Sequence, residues 1–316
     1  MQLARVSVIV CSLGWILRAS AMEERADPPP TIPSDVVDEV VVEAPEPRYA
    51  APTLRDRIGR VWVPVTINGQ GPFRLVLDTG ATASAIVNPV AERLGLVPGA
   101  TDRLRLQGAT GQATVPYVVA EQLEVGDLLI KRTKLAIVPD VFGGAEGVLG
   151  TQGLADKRVH IDFRRDFVEI AFARGKPRPP GVSIVKFDVA RGRLPAFELS
   201  VGGVRTKAIV DTGAQLTVGN NSLREALLLR RREVQDSDII GVTLDVTEGE
   251  GIRIPPLTWG GVVVRNLRVT FGEMAIFEHW HLTREPAMLI GMDVIGTLGT
   301  FVIDYPRREI YLRARR

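Results

Sequence analysis

The chain contains one acidic turn twice. "FRLVLDTGATAS" spans 73–84 and "TKAIVDTGAQLT" spans 206–217. Each is an apolar run, then Asp-Thr-Gly-Ala, then small and hydroxyl residues, and the two aspartates, Asp78 and Asp211, lie 133 residues apart. The match extends outward on both sides. "RVWVPVTINGQGPFRLVLDTG" (60–80) and "RLPAFELSVGGVRTKAIVDTG" (193–213) both read as strand, glycine turn, strand, acidic turn. "VHIDFRRDFVEI" (159–170) and "FVIDYPRREIYL" (301–312) agree almost position by position. A unit of roughly 130 residues used twice does not build a solenoid. It predicts two similar lobes related by a pseudo-twofold axis, as in a dimer fused into one chain. Such an axis brings equivalent residues together, and Asp78 and Asp211 are equivalent.

The local patterning is that of a β protein. Short alternating runs are punctuated by 31 glycines and 21 prolines in 316 residues, which favours turns over helix bundles. "VNPVAERLGL" (87–96) and "NSLREALLLRR" (221–231) are the helical-looking stretches, one at the same place in each half. "ARGKPRPPG" (173–181) reads as a polar break between halves. The expected organisation is a signal peptide at 1–21, a flexible Pro- and acid-rich segment at 22–53, an N-terminal lobe at 54–175 and a C-terminal lobe at 176–316.

The leader expectation rests on "VSVIVCSLGWIL" (6–17), an apolar run behind Arg5, and on "ASA" (19–21), a small-x-small cleavage site. The run is short for a membrane span, so no stable membrane insertion is expected after cleavage. Cleavage would remove two of the 39 basic residues and none of the 37 acids, so the mature chain balances and carries no nucleic-acid signature. It would also remove Cys11, the only cysteine. An exported protein without disulfides must rely on its core, which suits a bacterial periplasm or secretion into the medium. Within 22–53, "VVDEVVV" (36–42) could add a strand to a sheet edge.

Two aspartates facing one another cannot comfortably both ionise. They share one proton, with apparent pKa values split apart. The charged member can take a proton from a held water while the neutral member hydrogen-bonds a substrate carbonyl. That is peptide hydrolysis with no metal, covalent intermediate or cofactor. The competing reading, two ordinary Asp-x-Gly hairpin turns, serves a single copy well. It serves badly two copies at one place in a repeat, each after an apolar strand.

"LVLDTGATAS" and "AIVDTGAQLT", each followed by apolar-apolar-Gly ("VLG" 148–150, "LIG" 289–291), resemble aspartic proteases of the retroviral type. The resemblance covers nearly all of 54–316, twice over. It implies an all-β fold of two similar acid-protease-type β-barrel lobes with a cleft between them, as in pepsins. By motif position it implies that Asp78 and Asp211 form the catalytic dyad, and that Thr79 and Thr212 interlock across the interface. Gly80 and Gly213 would line the substrate backbone, and Ala81 and Ala214 would complete the supporting loops. Flaps are implied near Gly108, Ala109, Thr110 and Gly111, and near Gly241, Val242 and Thr243. Many retroviral enzymes carry an ion pair behind the turn. Here its positions hold Thr82 and Gln215, with Thr151 and Met292, so that pair is absent.

Other features are weaker. "HWH" (279–281) would put two histidines on one side of a strand. With only His160 besides and no cysteine left after cleavage, no metal is expected, and these residues read as a loop over the cleft of the second lobe. "LLLRRREVQD" (227–236) and the C-terminal "RARR" read as solvated basic faces. The expected protein is an exported aspartic endopeptidase acting as a monomer on peptides or proteins, with a non-catalytic peptide-binding module as the alternative.

Overall fold

The computed structural model describes residues 6–8, 40–43, 59–107, 111–140, 142–190, 194–227, 234–240, 246–272 and 274–315. Two short strands come first. β1 (Val6–Val8) lies parallel to the hairpin strand Val234–Ile240 of the second lobe, and β2 (Val40–Glu43) lies parallel to the strand Val262–Arg265 of that lobe. The expected edge strand within 36–42 therefore forms, shifted to 40–43. Most of 1–21 and 22–53 lies outside the described residues.

The first lobe contains β3 (Trp62–Ile67), β4 (Gln70–Leu77), β5 (Ala85–Val87), β6 (Arg103–Gln107), β7 (Gln112–Val125), β8 (Leu128–Val138) and β9 (Gly147–Leu149), with α1 (Asn88–Arg93) after β5. Asn68 and Gly69 take positive φ of 50° and 73°, the primed-turn geometry that an Asn-Gly pair supplies between paired strands. In β3 burial follows a two-residue period, with Val63, Val65 and Ile67 inside. Pairing runs β3–β4–β9–β5–β8–β7, and β7 returns to β3 through Thr66 opposite Glu124 and Ile67 opposite Leu123. Six strands thus close into a barrel, and β6 pairs with the free end of β7 as a projecting hairpin.

β10 (Lys157–Asp162) and β11 (Phe167–Phe172) leave this barrel and enter a second sheet with β12 (Ser183–Lys186) and the two C-terminal strands. The second lobe then repeats the plan. It has β13 (Asp188–Ala190), β14 (Leu194–Val201), β15 (Val204–Val210), β16 (Val218–Gly219), α2 (Asn221–Ala226), β17 (Val234–Ile240), β18 (Val246–Arg253), β19 (Leu257–Trp259), β20 (Val262–Arg265), β21 (Arg268–Phe271), α3 (Ala275–His279), β22 (Ala287–Ile290) and α4 (Met292–Ile295). Where the first lobe has the 14-residue β7, this lobe has β18 and β19 separated by Pro255 and Pro256. Neither proline has an N–H to give to the ladder, so the strand breaks there and the lobe remains a curled sheet.

β23 (Leu298–Asp304) and β24 (Glu309–Ala314) complete the shared sheet in the order β11–β10–β23–β24–β12. All seven residues of β23 are buried, because the lobes cover one face and residues 173–182 cross the other. The Arg158 guanidinium holds that crossing segment by donating to the carbonyls of Lys176 and Pro177, Arg178 pairs with Glu309 at 2.7 Å, and Arg313 donates to the Pro180 carbonyl. The polar break between halves is thus a pinned strap. Among the described residues strand makes up 52% and helix 9%, so the all-β, two-lobed expectation holds.

Trp259 is fully buried and stacks on Phe197 at 4.9 Å, while Trp62 lies partly buried beneath the Arg74 guanidinium. The histidine pair sits where a short helix ends in a turn. His279 ends α3, Trp280 caps it, and His281 takes a positive φ of 57°, so these residues turn a helix end and lie on no strand. Phe277 and Trp280 supply the reason, packing edge-to-face into a buried cluster with Ile209, Ala214 and Leu289. Among the described residues no helix is long and apolar enough to cross a membrane.

Candidate active site

Both acidic turns form at the end of a buried strand. β4 ends in Val76 and Leu77, and β15 in Ile209 and Val210, all essentially without exposure. The aspartate backbone amides still belong to the sheet: Asp78 donates to Leu149 O, and Asp211 to Ile290 O, each at 2.9 Å. The chain then folds back on its own carboxylates. Gly80 and Ala81 donate their N–H groups to Asp78 Oδ1 at 2.8 and 2.9 Å, and Gly213 and Ala214 do the same for Asp211 Oδ1 at 2.8 and 3.1 Å. One oxygen of each carboxylate is thereby fixed by backbone, leaving the other for the neighbour.

The pseudo-twofold axis passes between these turns. The Thr79 amide donates to Thr212 Oγ1 and the Thr212 amide to Thr79 Oγ1, both at 3.1 Å. Each hydroxyl then donates onward to the opposite lobe, Thr79 to Val210 O at 2.9 Å and Thr212 to Leu77 O at 2.6 Å. Both threonines are fully buried, so these four bonds form out of reach of water. The lobes approach so closely that a methyl on Gly80 would stand 2.5 Å from Asp211 Cγ and Oδ2. Glycine is required there because no side chain fits.

Asp78 and Asp211 are both buried, and their side chains hydrogen-bond one another. Burial pushes the Asp78 carboxyl well above the ordinary carboxylate range, and the charge of Asp211 and the bond to it push the same way. The amides of Gly80 and Ala81 oppose this without reversing it. The pair thus holds a proton to higher pH than an isolated aspartate would. Tyr305, at the turn after β23, is buried with no hydrogen-bond partner for its hydroxyl among the described residues, and packs edge-to-face on Phe187 at 6.0 Å. Burial, and then the charge of Asp78, push its hydroxyl above its usual value.

A second layer braces each turn. In the first lobe Thr151 donates through its amide to Ala81 O at 2.8 Å, and Gly150 donates to Ser84 Oγ at 3.2 Å. In the second, Met292 donates to Ala214 O at 2.9 Å and Gly291 to Thr217 Oγ1 at 3.1 Å. Here the symmetry ends. Asp293 accepts from the Thr217 hydroxyl at 2.6 Å and the Thr217 amide at 3.0 Å, whereas its counterpart in the first lobe is Gln152. Sequence reasoning noted the missing ion pair but not Asp293, one position beyond Met292. The available signal was an acid in the first turn of a helix directly after "LIG".

The structure therefore brings together Asp78, Thr79, Gly80, Ala81, Asp211, Thr212, Gly213 and Ala214. Of the flap residues, Gly111 directly precedes β7, while Gly108, Ala109, Thr110, Gly241, Val242 and Thr243 lie outside the described residues. The strands flanking both gaps pair as hairpins, β6 with β7 and β17 with β18. Tyr117 lies well along β7 from that gap, opposite Ala136 and under the Lys134 ammonium at 4.2 Å. Among the described residues no group of three or more His, Cys, Asp or Glu side chains could hold a metal ion.

A family model described as aspartyl protease matches residues 63–152 and again residues 197–294, together more than half of the chain. Each match contains one acidic turn and its apolar-apolar-Gly strand. No curated protein matches the chain.

Proposed function

The chain belongs to the aspartyl protease family, and on that premise we propose that it is an exported aspartic endopeptidase whose dyad is Asp78 and Asp211. The observation that carries this reading is the mutual hydrogen bond of two buried, backbone-anchored carboxyls across the lobe interface. In the first step the water oxygen bonds to the scissile carbonyl carbon and gives its proton to the ionised carboxyl. The carbonyl oxygen meanwhile accepts the proton held by its neighbour, yielding a neutral gem-diol. The C–N bond then breaks, the nitrogen takes a proton from the dyad, and a diol hydroxyl returns its own, so the pair ends as it began. Burial and the charge of Asp211 raise the Asp78 carboxyl, which favours a proton held within the pair. No metal or cofactor enters these steps. The leader-like 1–21 segment supports export to a periplasm or the medium, and two complete turns in one chain support a working monomer.

The test is cleavage of a mixed peptide library by the purified protein at about pH 4 and about pH 7. Loss of cleavage in both Asp78→Asn and Asp211→Asn supports the dyad, and full activity in either variant overturns it. Tight peptide binding without cleavage at any pH would instead favour a binding module.

A further inference from the structure

The two acidic turns are equivalent in sequence but are not braced by equivalent chemistry. In the first lobe the second layer is neutral: Ser84 accepts from Gly150, and the Thr151 hydroxyl donates to Ala81 O at 3.1 Å. In the second lobe a carboxylate closes the layer. Asp293 Oδ1 accepts from the Thr217 hydroxyl at 2.6 Å and from the Val294 amide at 2.9 Å, and Oδ2 accepts from the Thr217 amide at 3.0 Å. The Asp293 amide donates back to Gln215 O at 3.1 Å. Asp293 therefore holds Thr217 at two points, while Thr217 Oγ1 accepts from the Gly291 amide. Every group named around the Asp293 oxygens is a donor, an arrangement that suits the anion. Adding a proton removes the charge that strengthens these bonds and creates an O–H with no acceptor among the named groups, so the hold on Thr217 and Val294 weakens.

We propose that Asp293 is a positioning residue for the lobe-two half of the site, latching the Asp211 turn through Thr217 while ionised and releasing it when protonated. The inference rests on the peptidase reading of that site. Removal from water raises the Asp293 carboxyl to about 6, with the Thr217 and Val294 bonds pulling the other way. The latch therefore operates within the range over which the enzyme would be assayed. Of the elements around it, α4 carries Asp293 as its only titratable residue and β22 carries none. β23 contributes Asp304, which is tied to Arg158 and Arg307, and the turn itself contributes Asp211. The first-lobe turn, braced by hydroxyls, serves as the internal control.

The test uses the intact protein and Asp293→Asn, whose amide presents a donor toward the Thr217 amide and so mimics the released state. Two readouts are followed from about pH 4.5 to about pH 7.5: backbone amide exchange, corrected for intrinsic rates, and the kcat and KM of peptide cleavage. In the native protein, protection at residues 213–217 should rise about tenfold through about pH 6, accompanied by an ionisation in kcat with little change in KM. In Asp293→Asn protection should stay at the low-pH level and the ionisation at about pH 6 should be missing from kcat, while residues 80–84 are unchanged in either protein. Parallel behaviour of native protein and variant in exchange and kcat overturns the proposal. If that variant fails to fold, Thr217→Val removes one donor and should raise the Asp293 carboxyl titration seen by carbon NMR; an unmoved titration overturns the proposal equally. Because amide exchange needs no turnover, failure of the peptidase reading, revealed by the dyad variants, remains distinguishable from failure of the latch.

Discussion

Thr79 and Thr212 exchange amide-to-hydroxyl hydrogen bonds of 3.1 Å across the lobe interface, and each hydroxyl also donates to a strand of the opposite lobe. The interface is thus locked at the residue beside each acid. Replacing either threonine by valine keeps the shape but strands one buried amide and one buried carbonyl. Each substitution is expected to cost about 2–4 kcal/mol of stability and most of the activity. Serine at the same position should retain most of both. Denaturant melts of the two variants, set beside their kcat values, check this.

Gly80→Ala is expected to be worse for function than its size suggests. The added methyl would fall 2.5 Å from the Asp211 carboxyl carbon, so the turns must separate and the bond between the acids is lost. Activity should fall at least about a hundredfold while the protein still melts cooperatively. Near-native activity would show that the turns need not touch.

The dyad sets a pH dependence with a definite sign. The Asp78 carboxyl is raised in the folded protein, chiefly by burial. The folded state therefore binds the proton more tightly than the unfolded chain, and the associated stability is present at low pH and is lost as pH rises through the folded-state value. Asp78→Asn removes the titrating group. Plotted as the variant's melting temperature minus that of the native protein, stability should increase with pH from about 4 upward. A flat difference would mean that the site does not hold its proton.

Arg158→Met should destabilise the protein by about 3–5 kcal/mol, because it removes the first-lobe partner of a fully buried Asp304 and frees the strap at Lys176 and Pro177. Burial alone would raise Asp304, but the bonds from Arg158 and Arg307 outweigh it and hold the carboxyl below its usual range. That contribution is present at neutral pH and fades under acid. The cost of the substitution, read from urea titrations, should shrink at low pH.

Tyr305→Phe should be neutral or slightly stabilising, by up to about 1 kcal/mol, since it removes a buried hydroxyl without a partner. The equivalent residue in the first lobe is already Phe163. A loss of stability in thermal melts would mean that the hydroxyl has found a partner in solution.

What the sequence made readable was local or repeated. The Asn-Gly hairpin, α1 after β5 and the position of each acidic turn depend on residues within a few places of one another. The second copy identified the acids because symmetry converts sequence repetition into spatial proximity. What escaped depends on contacts between distant segments. Asp293 matters only because α4 lies against the 211–217 turn, and Tyr305 only because its hairpin folds beneath the other half. The strap looked like a loose linker because Arg158, which pins it, belongs to a strand that gives no hint of facing that way. The short helix ending at His279 was not legible because Phe277 and Trp280 follow a helical period that a three-residue motif cannot reveal.

The shared sheet also has a consequence for biosynthesis. The first barrel closes using only residues up to 149, yet β10 finds its inner partner in β23, whose residues emerge from the ribosome well after those of β10. Until then one long backbone edge of β10 stays open to solvent or to a neighbouring nascent chain. A product truncated after the first half would keep that edge open permanently, a template for aggregation that the β23–β24 hairpin removes.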